Sequence, residues 1–219
     1  MPLEHTPSRR QLIGSALGAV ATLAGAGQLL ASADRVAALS ASVNGPAEAI
    51  DPAVRLGITG KLTFPVDTDP AYGSLVCLNN FGGRSTANGA CSHNGVDIGN
   101  DDISGKGRPL VACVDGDVEK DEEFSSAGLT RILRDGLGTF YRYHHLDSYE
   151  ATVAEGDTVR AGQVVGYMGK TGNTVWSHLH FEIWLASLTP RLATIIDPVP
   201  RLPFPLEGVT LRESTACSN

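Results

Sequence analysis

The chain has 219 residues, 42% of them hydrophobic, which is enough for one domain with a sizeable core plus extensions. Its formal net charge is -7 and no basic patch is visible, which argues against nucleic acid as a partner. The 25 glycines point to many turns and a β-rich fold.

In chain order, the N-terminus reads as an export signal. Arg9 and Arg10 precede a stretch from Gln11 to Ala33 that carries no charge and is rich in Ala, Gly and Leu. Ala31-Ser32-Ala33 then offers a small-residue cleavage site before Asp34. The segment resembles a twin-arginine leader. The uncharged run is long enough to span a bilayer, but its Gly and Ala content makes it weakly hydrophobic. The expectation is therefore cleavage after residue 33, with no stable membrane insertion of the mature chain. No cysteine lies near the cleavage site to carry a lipid. Residues 34–57 have little periodicity and read as a linker.

From Ile58 the pattern changes to short apolar runs between turns, with no long helical period. Examples are Pro109 to Val114, Thr139 to Tyr143 and Gln163 to Met168. Turns fall at Asp115-Gly116-Asp117, Asp135-Gly136, Glu155-Gly156-Asp157 and from Gly169 to Asn173. Many short strands at this spacing predict an all-β, antiparallel sandwich or barrel-like domain over 58–202, with 203–219 as a Pro-bearing tail.

The stretch Ser177-His178-Leu179-His180-Phe181-Glu182-Ile183 alternates apolar and polar residues. That is the period of a half-buried strand, so His178 and His180 project from one face. Upstream, His93 and Asp97 in Ser92-His93-Asn94-Gly95-Val96-Asp97 have an even spacing and face one way if extended. Imidazoles and a carboxylate of this kind supply the three protein ligands typical of catalytic zinc, with an open position for water. The chain has six histidines, and all except His5 lie in three compact segments, the third being His144-His145.

These residues, taken in order, resemble the lysostaphin-like (LytM-type) zinc endopeptidases of bacterial cell walls, metallopeptidase family 23. The resemblance runs from about Leu62 to Leu202. It is carried by Phe64-Pro65-Val66, Phe81-Gly82-Gly83-Arg84 with His93 to Ile98, and Tyr143-His144-His145-Leu146. Glu155 to Gln163, Thr171-Gly172-Asn173 through Glu182, and Asp197-Pro198 complete it. It implies a lysostaphin-type fold with a duplicated hybrid motif. It also implies one zinc ion per chain held by His93, Asp97 and His180, with His145 and His178 as catalytic histidines. The implied substrate is the peptide part of peptidoglycan, stem peptide or cross-bridge. No protein partner is indicated. On a regular strand Tyr141, Tyr143 and His145 share a face, and His144 points to the other.

One stretch departs from the family's pattern. Between Gly116 and Phe140 the family's Gly-Asn turn is absent, and the acidic run Glu119 to Gly128 stands there, read as a solvated loop or as a shaper of substrate choice. Cys77, Cys91, Cys113 and Cys217 suit disulfides in an exported protein, with three pairings open. Cys77 with Cys91 would close the loop before His93, and Cys113 with Cys217 would tie the tail to a strand. Cys91 could instead touch the metal, although a fourth protein ligand would close a catalytic site. Two other readings compete. Gly156 to Val164 also looks like part of a biotinyl- or lipoyl-carrier domain, with Lys170 the nearest modifiable lysine, but that leaves the histidines unexplained. A non-catalytic wall-binding or activator protein of the same fold would lack a ligand or catalytic histidine, and none is missing.

Overall fold

The computed structural model describes residues 60–83 and 92–214. The leader, the linker, Arg84, Cys91 and Cys217 lie outside them. Among the described residues the only helical elements are short 3-10 turns at Pro70–Tyr72 and Val199–Arg201. No described helix is long and apolar enough to cross a membrane.

The strands are β1 (Leu75–Asn79), β2 (Val96–Asn100), β3 (Pro109–Val111), β4 (Gly116–Phe124), β5 (Gly128–Arg134) and β6 (Thr139–Tyr149), followed by β7 (Thr158–Val159), β8 (Val164–Met168), β9 (Leu179–Leu185), β10 (Thr194–Ile196) and β11 (Val209–Glu213). All belong to one open hydrogen-bonded sheet with the order β11-β1-β2-β9-β6-β5-β4-β7, with β10 added to β9 and β8 carrying β3 alongside β6. Pairing is antiparallel throughout except for β1 with β11. The segment read as a tail thus returns a strand to the sheet.

The expected strands are present because their apolar residues have a common face to fill. On β9, Leu179, Phe181 and Ile183 are buried in the main core. On β6, Tyr141 and Tyr143 point the same way, and on β2 Val96 and Ile98 do. Tyr143 Oη donates to Val111 O (3.0 Å) and accepts from Cys113 N (2.9 Å), so its hydroxyl is satisfied inside the core. The opposite face of the same three strands carries Asp97, Arg142, His144, His180 and Glu182. The alternation that builds the core therefore builds the site.

Strand β6 is the pivot. It pairs with β9 from Thr139 to His144, then with β8 from Leu146 onward, and with β5 along its other edge. At the change of partner β6 carries one extra residue, since Leu129 opposes Leu146 while Arg131 opposes Tyr143. His145 sits at this bulge with φ 63°.

Two sequence expectations are corrected. The acidic run is not a solvated loop: it is β4, paired with β5 across a tight turn, and Phe124 at its end faces the site cavity. Its charged side chains are exposed or half-buried, as an edge-proximal strand allows. The disulfides expected at Cys77 and Cys113 are not formed; both are free thiols buried in the core. Burial pushes each thiol up to about 12, so they behave as small apolar core residues.

Candidate metal centre and active site

Asp97 on β2 and His180 on β9 are direct cross-strand partners. Their side chains meet, His180 Nδ1 lying 2.9 Å from Asp97 Oδ1. His93, just before β2, brings Nε2 to 3.3 Å from the same oxygen, and His178, just before β9, does likewise at 3.3 Å. One carboxylate oxygen thus faces three imidazole nitrogens. Gly95 makes the approach of this segment possible, because a Cβ there would run into the Phe181 carbonyl.

Asn80 locks the arrangement. Its Nδ2 donates to Asp97 Oδ2 (2.8 Å), its Oδ1 accepts from Asp97 N (3.2 Å), and its carbonyl accepts from His93 Nδ1 (3.1 Å). With Nδ1 so occupied, His93 presents Nε2 to the group. The donor atoms of His93, Asp97 and His180 lie within 4.8 Å of one another. Tetrahedral ligands about 2.0–2.2 Å from zinc stand roughly 3.3 Å apart, so this donor set fits one zinc ion.

His180 is shared between two buried carboxylates. Its Nε2 lies 3.0 Å from Glu182 Oε1. Glu182 also accepts from Trp184 Nε1 (2.7 Å) and Arg142 Nη1 (3.4 Å), and His144 Nε2 is 3.4 Å from its Oε2. Burial alone would raise Asp97, but the hydrogen bonds from His178, His180 and His93 hold it well below the usual carboxylate range. Glu182 is held down in the same way, its burial outweighed by His144 and His180. Burial would lower His180, but Asp97 and Glu182 raise it to about 9, so binding a cation there releases a proton.

The remaining histidines complete the cavity. His145 Nδ1 donates to Thr171 O (2.8 Å) and His178 Nδ1 to Trp176 O (3.1 Å), which leaves each Nε2 free of the backbone. The two rings are 4.9 Å apart, and His178 stacks on Trp176 at 4.4 Å. Burial, reinforced by His178, depresses His145 to about 3, keeping it a neutral proton acceptor. A cavity of about 360 Å³ opens onto this group, lined among others by His93, Asp97, His144, His145, His180 and Arg142.

His145 is where regular alternation misleads. Tyr141 and Tyr143 face the core, so the strand period itself places Arg142 and His144 on the site face. His145 reaches the same cavity only through the bulge, which sets two consecutive residues on one side. His144 is buried, with Nδ1 2.8 Å from Thr130 Oγ1, and burial lowers it to about 4. It does not face away.

Asn80, Thr171, Trp176, Arg142 and Trp184 were not singled out from sequence. Glu182 was quoted within its motif but given no role, although its i+2 spacing from His180 puts it on the ligand face. Gly169 pairs with His178 across the strands, so the stretch before Lys170 serves the histidine scaffold and not a carrier hairpin.

Residues 91–190 match the model of peptidase family M23. The chain is 29% identical over 110 residues to the DD-carboxypeptidase/endopeptidase Mpg of Neisseria meningitidis, covering 50% of this chain and 24% of that protein. It is 29% identical over 151 residues to glycyl-glycine endopeptidase ALE-1 of Staphylococcus capitis, covering 65% and 39%. Against lysostaphin of Staphylococcus staphylolyticus it is 32% identical over 111 residues, covering 49% and 22%. The chain thus spans well under half the length of these relatives. A candidate LytM glycyl-glycine endopeptidase from Ruminococcus gnavus shares the fold, with TM-score 0.57, 24% identity and coverage of 71% and 64%. So does a chain of the SpoIIQ–SpoIIIAH complex, with TM-score 0.51, 22% identity and coverage of 66% and 92%. Residues 91–190 thus form a peptidase family M23 domain, homologous to lysostaphin and the LytM-type peptidoglycan endopeptidases.

Proposed function

We propose that the protein is an exported zinc metalloendopeptidase that hydrolyses peptide bonds in the peptide part of peptidoglycan. The observation that carries this reading is the convergence of His93, Asp97 and His180, which line an open cavity together with His145, itself packed beside His178. Family membership supports it, since the matched relatives include endopeptidases of cell walls. Export is supported by the twin arginines and the Ala31-Ser32-Ala33 site.

In this mechanism His93, Asp97 and His180 would hold the metal. Zinc bound there would supply Lewis acidity, lowering the pKa of water to about 7 and polarising a carbonyl. His145 and His178 do the proton work. Each has Nδ1 fixed by a backbone carbonyl; His145 lines the cavity, and His178 turns Nε2 toward Asp97 Oδ1 at 3.3 Å. One ring takes a proton from the attacking water, and the pair returns a proton to the leaving amine while stabilising the developing oxyanion. The Thr171 and Trp176 carbonyls hold the rings in that tautomer. Asn80 keeps Asp97 and His93 oriented.

The test is incubation of the purified protein with isolated cell walls, with and without a chelator, and identification of released fragments by mass spectrometry. New peptide termini that vanish with chelator and return with zinc support the reading. Wall binding without new termini would establish a non-catalytic wall-binding role in its place.

A further inference from the structure

We infer that Arg142 is a specificity residue that reads a free carboxylate on the substrate peptide, so that the scissile bond lies near an acidic group and not inside a neutral glycine run. This rests on the endopeptidase reading above and names the substrate class of the same site.

Arg142 lines the cavity with Phe124 and Trp184. Its guanidinium carbon is 4.3 Å from the Trp184 ring centroid and 5.6 Å from that of Phe124. Two aromatic faces therefore hold a planar cation in place, which lowers the entropy cost of using it in binding. Phe124 comes from the β4–β5 hairpin, the stretch that departs from the family's pattern.

The donors are incompletely used. Of the five N–H groups a guanidinium carries, Nη1 meets Glu182 at a long 3.4 Å, on an oxygen already taken by Trp184 at 2.7 Å. Nε is buried with no hydrogen-bond partner. A buried cation with unfilled donors is costly until an acceptor arrives, and a carboxylate matches its fork in two points. The charge balance points the same way. Asp97 and Glu182 are the carboxylates of the site, and Arg142 together with a divalent cation outweighs them, so an anionic ligand closes the account.

Geometry sets the distance. Arg142 lies two residues from His144 on β6, opposite Glu182 as His144 lies opposite His180. Two strand residues span about 7 Å. A peptide along the cavity covers that in one or two residues, so the carboxylate belongs to a residue adjoining the cleaved bond, either as a side-chain acid or as a chain terminus.

The experiment uses the full chain and three versions of one synthetic cross-linked stem peptide: all acids free, terminal acid amidated, side-chain acid amidated. Binding is measured by calorimetry on chelator-treated protein, and kcat and KM on the zinc-loaded protein. One amidation is expected to weaken binding and raise KM about 10- to 100-fold, the range for a charged hydrogen bond. R142Q should erase that difference while zinc content stays at the wild-type level. R142K, which keeps the charge without the fork, should lose most of it and covers the case in which R142Q does not fold. Equal binding of all three peptides to the wild-type protein overturns the inference, as does a preference that survives undiminished in R142Q. Cleavage without acid preference defeats the carboxylate site alone; acid-selective binding without zinc-dependent cleavage defeats the endopeptidase reading alone.

Discussion

Two buried carboxylates meet at His180, and they are built differently. Asp97 has one oxygen surrounded by three imidazole nitrogens, and Asn80 is the remaining side-chain partner of its other oxygen. Imidazoles can give up their protons, so this cluster can exchange them for a cation. Glu182 instead gathers two donors that cannot give up their protons, an indole N–H and a guanidinium, beside the His144 imidazole and the far side of His180. Arg142 beside it disfavours a second cation. Two strand positions apart, these clusters make one donor set that suits a metal and one that would orient its ligand. The group His144, His180 and Glu182 also brings donor atoms close enough for a cation, but the protein's own positive charge stands beside it.

The sharpest way to break this comparison is to empty the Asp97 cluster. His93→Ala, Asp97→Ala and His180→Ala should each weaken zinc binding by more than about 100-fold and abolish hydrolysis, as removal of one of three protein ligands should do. Zinc content at limiting metal measures it, and full occupancy in any of the three variants would remove that residue from the ligand set. His145→Ala and His178→Ala should by contrast keep their zinc and lose about 10²–10⁴-fold in turnover, the usual share of acid–base catalysis. Loss of metal in His178→Ala with retention in His180→Ala would reverse their roles.

Much of this arrangement was legible in the sequence. Alternation from Leu179 to Ile183 gave β9 and the shared face of His178 and His180, because a strand's period is fixed by its pleat. The short apolar runs and Gly-bearing turns gave the all-β class. Three features were not legible, each for a physical reason. The bulge at His145 is one extra residue defined by the partner strand β5, and a local period cannot register it. The β4 strand carries so many charges that it lacks a strand's apolar signature; only pairing with β5 reveals it. Asn80 acts across a sequence gap of 17 residues on Asp97, a contact that no spacing rule reaches. The cysteine count suggested cross-links, whereas Cys77 and Cys113 each fill core volume as free thiols.

The Glu182 cluster makes a smaller, separable prediction. Glu182→Gln keeps the shape but removes the charge that His180 Nε2 and Arg142 share. Zinc affinity, measured by competition with a chromogenic chelator, should fall about 10- to 100-fold, as for other residues that orient a metal-binding histidine. Unchanged affinity would mean that Asn80 and the strand register alone orient His180. A rise in metal stoichiometry on addition of excess zinc to the wild-type protein, lost in this variant, would instead make Glu182 a ligand.

The smallest effect is expected at His144, and it separates adjacent histidines that share one cavity. His145 owes its place to the bulge and offers a free Nε2 beside His178. His144 arrives by plain alternation and turns its Nε2 toward Glu182 while Thr130 occupies its Nδ1. Neither nitrogen is left for substrate, so His144 supports the carboxylate that supports His180. His144→Ala removes one hydrogen bond from a cluster with several, and one such bond contributes about 0.5–1.5 kcal/mol. Turnover should therefore drop about two- to tenfold, with zinc content unchanged, against the 100-fold or greater loss in His145→Ala. Steady-state kinetics on the same peptide compares the two variants directly. A loss in His144→Ala as large as that in His145→Ala would show that His144 itself reaches the substrate, and that the cluster around Glu182 opens when a peptide binds.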